Sequence, residues 1–201
     1  MFDARIRPLI DPPLNAAGRW LAAHGVRANA VTLAGLSAGL LAAAAVALRQ
    51  FPAAFVLIAL SRILDGLDGA VARATAATDR GSYLDIVSDF AFYAAVPFGF
   101  ALADPAHNAL PATALLASFT MTCASFLAFA TIAAKRGLET TASGPKSFFY
   151  SFGLMEGTET ILFLLAMTVV PNRFSTLAWL FSALCLGTVL QRTLGALSRF
   201  R

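Results

Sequence analysis

What most limits the fold of this chain is a succession of apolar runs approaching or exceeding 18 residues, separated by short turn-forming stretches. A helical run of that length crosses a hydrocarbon core of about 30 Å. It also satisfies its own backbone hydrogen bonds where no water can. Composition agrees: the chain is 58% hydrophobic and 13% charged, with a mean hydropathy of +0.72. A soluble domain would need roughly a quarter of its residues charged. The expectation is an all-α integral membrane protein with one domain over residues 1–201. Residues 1–28 would form a juxtamembrane segment, followed by a six-helix bundle over roughly 30–194.

Apolar runs and breakers place six transmembrane helices at roughly 30–48, 52–76, 82–103, 111–134, 155–170 and 174–194. The breakers are Arg49-Gln50-Phe51-Pro52, Asp104-Pro105, Leu110-Pro111, Gly144-Pro145 and Pro171-Asn172. Arg5, Arg7, Arg19, Arg27, Arg80, Lys135, Arg136, Lys146, Arg192, Arg199 and Arg201 all fall on one side of such a bundle. Only Arg49 and Arg173 fall on the other. The positive-inside rule then puts both termini in the cytoplasm. A cleaved signal peptide fits residues 1–48 poorly, because its basic region would be too long and five spans follow. After the Pro12-Pro13 break, Leu14, Ala17, Leu21 and His24 share one helix face beside Trp20. A short amphipathic helix on the cytoplasmic membrane surface is expected there. Cys123 and Cys185 lie in apolar runs without metal-ligand spacing, His24 and His107 are isolated, and no nucleic-acid partner is expected.

Against this background the stretch Asp65 to Asp89 is anomalous, since it gathers five aspartates between two apolar segments. The second helix carries only Arg62 before Asp65. Counting 1.5 Å per residue puts Asp65 about 20 Å from the outer boundary, and Asp89 about 21 Å from it on the antiparallel third helix. Asp65 should therefore be level with Asp89, and Asp68 with Asp85. Asp65 and Asp68 are i and i+3, and Asp85 and Asp89 are i and i+4, so each pair shares a helix face. Two neighbouring helices would bring four carboxylates together, and divalent cations would relieve their repulsion. An all-oxygen set suits Mg²⁺, Mn²⁺ or Ca²⁺. Asp79 falls in the connecting loop as a turn or capping residue.

Gly69 and Ala72 continue the acidic face as a small-residue face, and Gly66 widens the gap beside it. Arg73 can direct a guanidinium fork at phosphate oxygens, and Gly81 lets backbone come close again before the third helix. Such a combination describes a pyrophosphate site. A cation-coupled transporter is the alternative reading of intramembrane aspartates. It has no need of the small-residue wall or of Arg73.

The pattern Asp65-x-x-Asp68-Gly69-x-x-Ala72-Arg73, seven residues, Gly81-x-x-x-Asp85-x-x-x-Asp89 resembles the signature of the CDP-alcohol phosphatidyltransferases. Asn29-x-x-Thr32 at the start of the first span resembles the family too. The tract KSFFYSFGLMEGTETILF is similar to a bacterial inner-membrane branch of it. The resemblance implies transfer of a phosphatidyl group from a CDP-lipid, most simply CDP-diacylglycerol, to an alcohol, with release of CMP. It implies that Asp65, Asp68, Asp85 and Asp89 hold two divalent cations, usually Mg²⁺, at the cytoplasmic face of the bacterial inner membrane. Asp89 would also be the general base. Gly66, Gly69, Ala72, Arg73 and Gly81, with Asn29 and Thr32, would make the CDP site, and a homodimer is implied.

The acceptor is less legible. Lys135, Arg136 and Lys146 surround a cytoplasmic loop and could bind an anionic alcohol, or be positive-inside charge and nothing more. Glu156 and Glu159 open the fifth helix. They would either recognise hydroxyls or serve the helix N-terminus. As hydroxyl recognisers they would favour a polyol, an amino alcohol or a phospholipid headgroup over a phosphorylated acceptor.

Overall fold

The computed structural model describes residues 3–137 and 153–200. They form α1 (Asp3–Ala23), α2 (Ala28–Ala47), α3 (Phe51–Ala74), α4 (Asp79–Ala103), α5 (Pro105–Lys135), α6 (Gly157–Val169) and α7 (Phe174–Arg199). There is no strand among the described residues. The six helices expected from the apolar runs are α2 to α7. Four segments are long and apolar enough to cross a membrane: α2, α4, α5 and Pro171–Arg199, which contains α7. Helix α3 has the length, at 24 residues, but carries Arg62, Asp65, Asp68 and Arg73. Helix α6, at 13 residues, reaches only about 20 Å.

Several boundaries differ from expectation for local reasons. Helix α4 starts at Asp79 rather than 82, because Thr78 caps it by accepting the Gly81 N–H at 3.1 Å. Helix α5 starts at Pro105 rather than 111, with Asp104 accepting from the His107 N–H at 3.3 Å. Proline at the first helical position forfeits nothing, since that N–H has no partner in a helix. Pro111 then sits inside the helix, and the carbonyl it strands belongs to the exposed His107.

Helix α1 does not wait for the Pro12-Pro13 break but runs through Pro8, Pro12 and Pro13. The carbonyls those last two prolines cannot bond are those of Pro8 and Leu9, both exposed. One face of α1 packs on α3. Leu14, Asn15, Gly18, Leu21 and Ala22 are protected, whereas Ala17 and His24 are exposed. Gly18 decides this, because only a residue without a side chain can lie against Ala70 of α3. A Cβ at position 18 would stand 2.6 Å from the Ala70 Cβ and 2.7 Å from its carbonyl carbon. The helix ends at Gly25, whose φ of +79° lets Val26 N–H reach the Leu21 carbonyl and Gly25 N–H the Ala22 carbonyl. That pairing satisfies carbonyls that the last helical turn leaves open.

The packing centre is α2, which lies against both α3 and α4. Direct neighbour packing of α3 on α4 was expected. Helix α2 holds the two backbones together, and α3 and α4 meet through side chains, Arg62 to Asp89 at 2.6 Å among them. The closeness comes from a Gly35-x-x-x-Gly39 spacing on α2, a pattern that lets helix backbones approach. Ser61 of α3 donates to the Gly35 carbonyl at 2.8 Å. At the opposite end Arg49, at φ +58°, donates from Nε and Nη2 to the Ala103 carbonyl at 3.0 and 2.7 Å. That tie fastens the α2–α3 turn to the end of α4. Helices α5 and α7 pair with each other, joined to the first group through α4 against α5 and α3 against α6. Phe100 of α4 stacks on Phe174 of α7 at 4.2 Å, and Phe163 of α6 on Phe181 of α7 at 4.4 Å.

Candidate metal and pyrophosphate site

Asp65 and Asp68 leave α3 from one face, and Asp85 leaves the second turn of α4. Oxygens from these three carboxylates all lie within 4.8 Å of one another. Asp68 is buried, with Thr32 of α2 beside it, and its Oδ2 has no hydrogen-bond partner among the described residues. A buried carboxylate oxygen left unpaired is costly, and three clustered carboxylates repel one another. A divalent cation answers both, and three oxygens with no Cys or His are a hard-cation set. The residues present therefore fit such an ion.

The fourth motif aspartate is placed differently. Asp89 Oδ1 accepts from Arg62 Nη1 at 2.6 Å, and the same Nη1 stands 3.7 Å from Asp65 Oδ1. One guanidinium thus spans Asp65 and Asp89. Asp85 joins Asp68, and Asp65 belongs to that group as well. In the sequence Arg62 stands only as the one charge before Asp65 on its helix. Its signal was present: it lies three residues before Asp65.

Around the carboxylates the small residues have distinct neighbours. A Cβ on Gly69 would lie 3.2 Å from Arg73 Nη1, so the guanidinium folds back over that position. Arg73 Nη2 donates to Asn15 Oδ1 of α1 at 2.9 Å, and a hollow lined by Asn15, Arg19, Ala70, Arg73 and Ala74 opens there. Gly66 faces α1 as well, its missing Cβ 2.9 Å from Leu14 Cδ1. A Cβ on Gly81 would lie 3.2 Å from Asn29 Oδ1, which sets the start of α2 against that of α4. A second hollow, with Arg27, Asn29, Thr75 and Thr78 among its walls, lies next to that contact. Asp79 is the first residue of α4, with Thr78 as its cap.

Four of the five acceptor candidates lie among the described residues. Glu156 and Glu159 form a reciprocal capping box at the start of α6, in which Glu159 Oε2 accepts the Glu156 N–H at 3.2 Å. The box puts both carboxylates to use at the helix N-terminus. Arg136 donates to the Phe200 carbonyl at 2.8 Å and so serves the end of α7. Lys135 is exposed, and Lys146 lies outside the described residues.

Carboxylates for a divalent cation beside an arginine fork and a wall of small residues are the parts of a pyrophosphate-handling site. Residues 26–190 match the model of the CDP-alcohol phosphatidyltransferase family, and the chain belongs to that family. It is 47% identical over 192 residues to inner membrane protein YnjF of Escherichia coli K12, covering 96% of this chain and 93% of that one. Archaetidylinositol phosphate synthase of Pyrococcus horikoshii is 37% identical over 100 residues, or 49% of this chain and 53% of that protein. The fold is similar to that of Mycobacterium tuberculosis phosphatidylinositol phosphate synthase PgsA1 with CDP-DAG bound. The TM-score there is 0.66 at 22% identity, over 91% of this chain and 92% of that one. With PgsA1 in complex with manganese and citrate the TM-score is 0.69 at 21% identity, over 91% and 88%. The chain is thus a membrane-protein transferase of phospholipid biosynthesis.

Proposed function

We propose that the chain transfers a phosphatidyl group from a CDP-lipid, CDP-diacylglycerol foremost, to an alcohol acceptor with release of CMP. The observation that carries this is the meeting of Asp65, Asp68 and Asp85 oxygens within 4.8 Å around the unpartnered Asp68 Oδ2. Asp65, Asp68, Asp85 and Asp89 would hold two divalent cations, Mg²⁺ with Mn²⁺ as substitute, which when bound supply charge neutralisation to the pyrophosphate. Manganese in a PgsA1 structure of similar fold supports the metal choice.

The chain's own residues do the rest. Asp89 takes the proton from the acceptor hydroxyl. The freed oxygen attacks the β-phosphorus, the bond to the bridging oxygen breaks, and that oxygen leaves with CMP. Arg73, poised by Asn15, offers its fork to the phosphate oxygens. Gly69, Ala72 and Gly81 leave room for the diphosphate and ribose, and Gly66, Asn29 and Thr32 shape the walls around them.

The same reading sets α2 to α7 as six spans in the bacterial inner membrane, with α1 on its cytoplasmic surface. Both termini and the site face the cytoplasm, two copies associate, and the distribution of Lys and Arg supports that orientation. The test is mass spectrometry of lipid products formed from CDP-diacylglycerol with a panel of alcohols. The panel holds polyols, amino alcohols, phosphorylated polyols and phosphatidylglycerol. One new phospholipid that requires the protein supports the proposal. No product with any acceptor, from folded and metal-supplied protein, contradicts it.

A further inference from the structure

The transfer chemistry gives Arg62 no task, yet the site is built around it. Its side chain is 8% exposed, and eleven residues of α3 place it about 16 Å from that helix's start. Nη1 donates to Asp89 Oδ1 at 2.6 Å, and Nη2 to Ser61 Oγ at 3.2 Å. The guanidinium carbon lies 4.0 Å from the centre of the Phe92 ring and 5.7 Å from that of Tyr93. Ser61 is in turn fastened to the Gly35 carbonyl at 2.8 Å, so the fork is fixed at one edge by α2 and on one face by α4. Nε is buried without a partner among the described residues.

Stability does not explain such a residue. A buried ion pair is commonly matched or bettered by apolar side chains of the same volume, and within a membrane the charge is dearer still. The geometry instead acts on one carboxylate oxygen. Asp89 Oδ1 accepts from Arg62 at 2.6 Å, which fixes how that carboxylate is turned beside the cluster. The same guanidinium, 3.7 Å from Asp65 Oδ1, places a positive charge beside the carboxylates that suit a cation.

We infer that Arg62 is a positioning residue for Asp89. It holds the Asp89 carboxylate in one orientation beside the cluster, and its charge loosens the grip of the aspartates on a divalent cation. This rests on the reading of Asp89 as the base. The two effects have opposite signs, and that separates a positioning role from a merely structural one.

The test uses Arg62→Gln and Arg62→Lys in the full chain, purified into lipid nanodiscs. Mn²⁺ binding to the resting protein is followed by electron paramagnetic resonance, and steady-state kinetics are measured separately. Arg62→Gln should bind Mn²⁺ about tenfold more tightly, because a nearby like charge is gone. Its kcat should fall about thirtyfold as Asp89 loses its orientation. KM for the CDP-lipid should stay within about twofold, the mark of a group that acts in the transition state. Arg62→Lys should keep wild-type Mn²⁺ affinity but lose about fivefold in kcat, since an ammonium has no fork.

Unchanged or weaker Mn²⁺ binding in Arg62→Gln alongside a lower kcat would overturn the inference, as would an unchanged kcat. If Arg62→Gln does not fold, Arg62→Lys decides: wild-type kcat overturns the inference, and a loss with intact Mn²⁺ binding upholds it. The Mn²⁺ arm reads resting protein. Its failure is therefore distinct from failure of the transfer reading, which would show as no CMP release by the unsubstituted chain.

Discussion

Gly39 of α2 stands so close to Phe92 of α4 that a Cβ in place of its hydrogen would lie 2.6 Å from the ring's Cδ2. The same Cβ would be 3.1 Å from Ser61 Oγ of α3. Both neighbours touch Arg62, the ring from below and the hydroxyl at its edge. One hydrogen-sized position on α2 therefore sets the floor beneath Arg62 and Asp89.

Gly39→Ala should consequently disturb chemistry as well as packing. Phe92 is fully buried and has no room to retreat, so overpacking should cost about 1–3 kcal/mol. Thermal unfolding in detergent should show a midpoint several degrees lower, with kcat falling more than KM changes. A wild-type midpoint and kcat would show that α2 yields without cost.

Gly18→Val tests whether α1 belongs to the site. The added Cβ would meet Ala70 backbone as well as its side chain, and backbone cannot swing aside. Helix α1 should lift from α3 and break the Asn15–Arg73 hydrogen bond of 2.9 Å. KM for the CDP-lipid should rise about fivefold, through loss of a pre-oriented fork. Asn15→Ala should give part of that rise with no change in the unfolding midpoint. Wild-type KM in both variants would remove α1 from donor binding.

The turn between α4 and α5 offers a test by pH. Hydrogen bonding to His107, through its ring and its backbone N–H, holds the Asp104 carboxyl below its ordinary value of 3.8. A depressed carboxylate contributes stability that is fully present above the unfolded value and fades as pH falls through the folded one. Asp104→Asn should thus unfold at a lower temperature than wild type at pH 6. The gap should close as pH drops below 3.8. A gap that persists unchanged in acid would assign the effect to something other than this carboxylate.

Much of this arrangement was legible because its causes are local. Apolar runs bounded by Pro and Gly become helices whatever surrounds them, so α2 to α7 appear where the runs lie. Aspartate spacings of three and four residues fix which carboxylates share a helix face. What escaped depends on which helix touches which. Gly35 and Gly39 are lost to the eye in an Ala- and Leu-rich run, and only packing shows that α2 holds α3 and α4. The partner of Arg62 escaped because Asp89 is 27 residues away. For Glu156 and Glu159 the charge was visible but the capping box they form was not, because the helix start was not fixed to the residue. Helix α1 ran through its prolines because tertiary contact at Gly18 outweighed a local breaker.

The account stands or falls on CMP release by the purified chain in nanodiscs, with CDP-diacylglycerol and an acceptor, at saturating Mg²⁺ and after chelation. It predicts release that requires both metal and acceptor. Asp68→Asn should abolish it through lost metal binding. Asp89→Asn should reduce it at least a hundredfold through lost proton removal, the scale of general-base catalysis. Release that survives chelation, or that Asp89→Asn leaves unchanged, would contradict it.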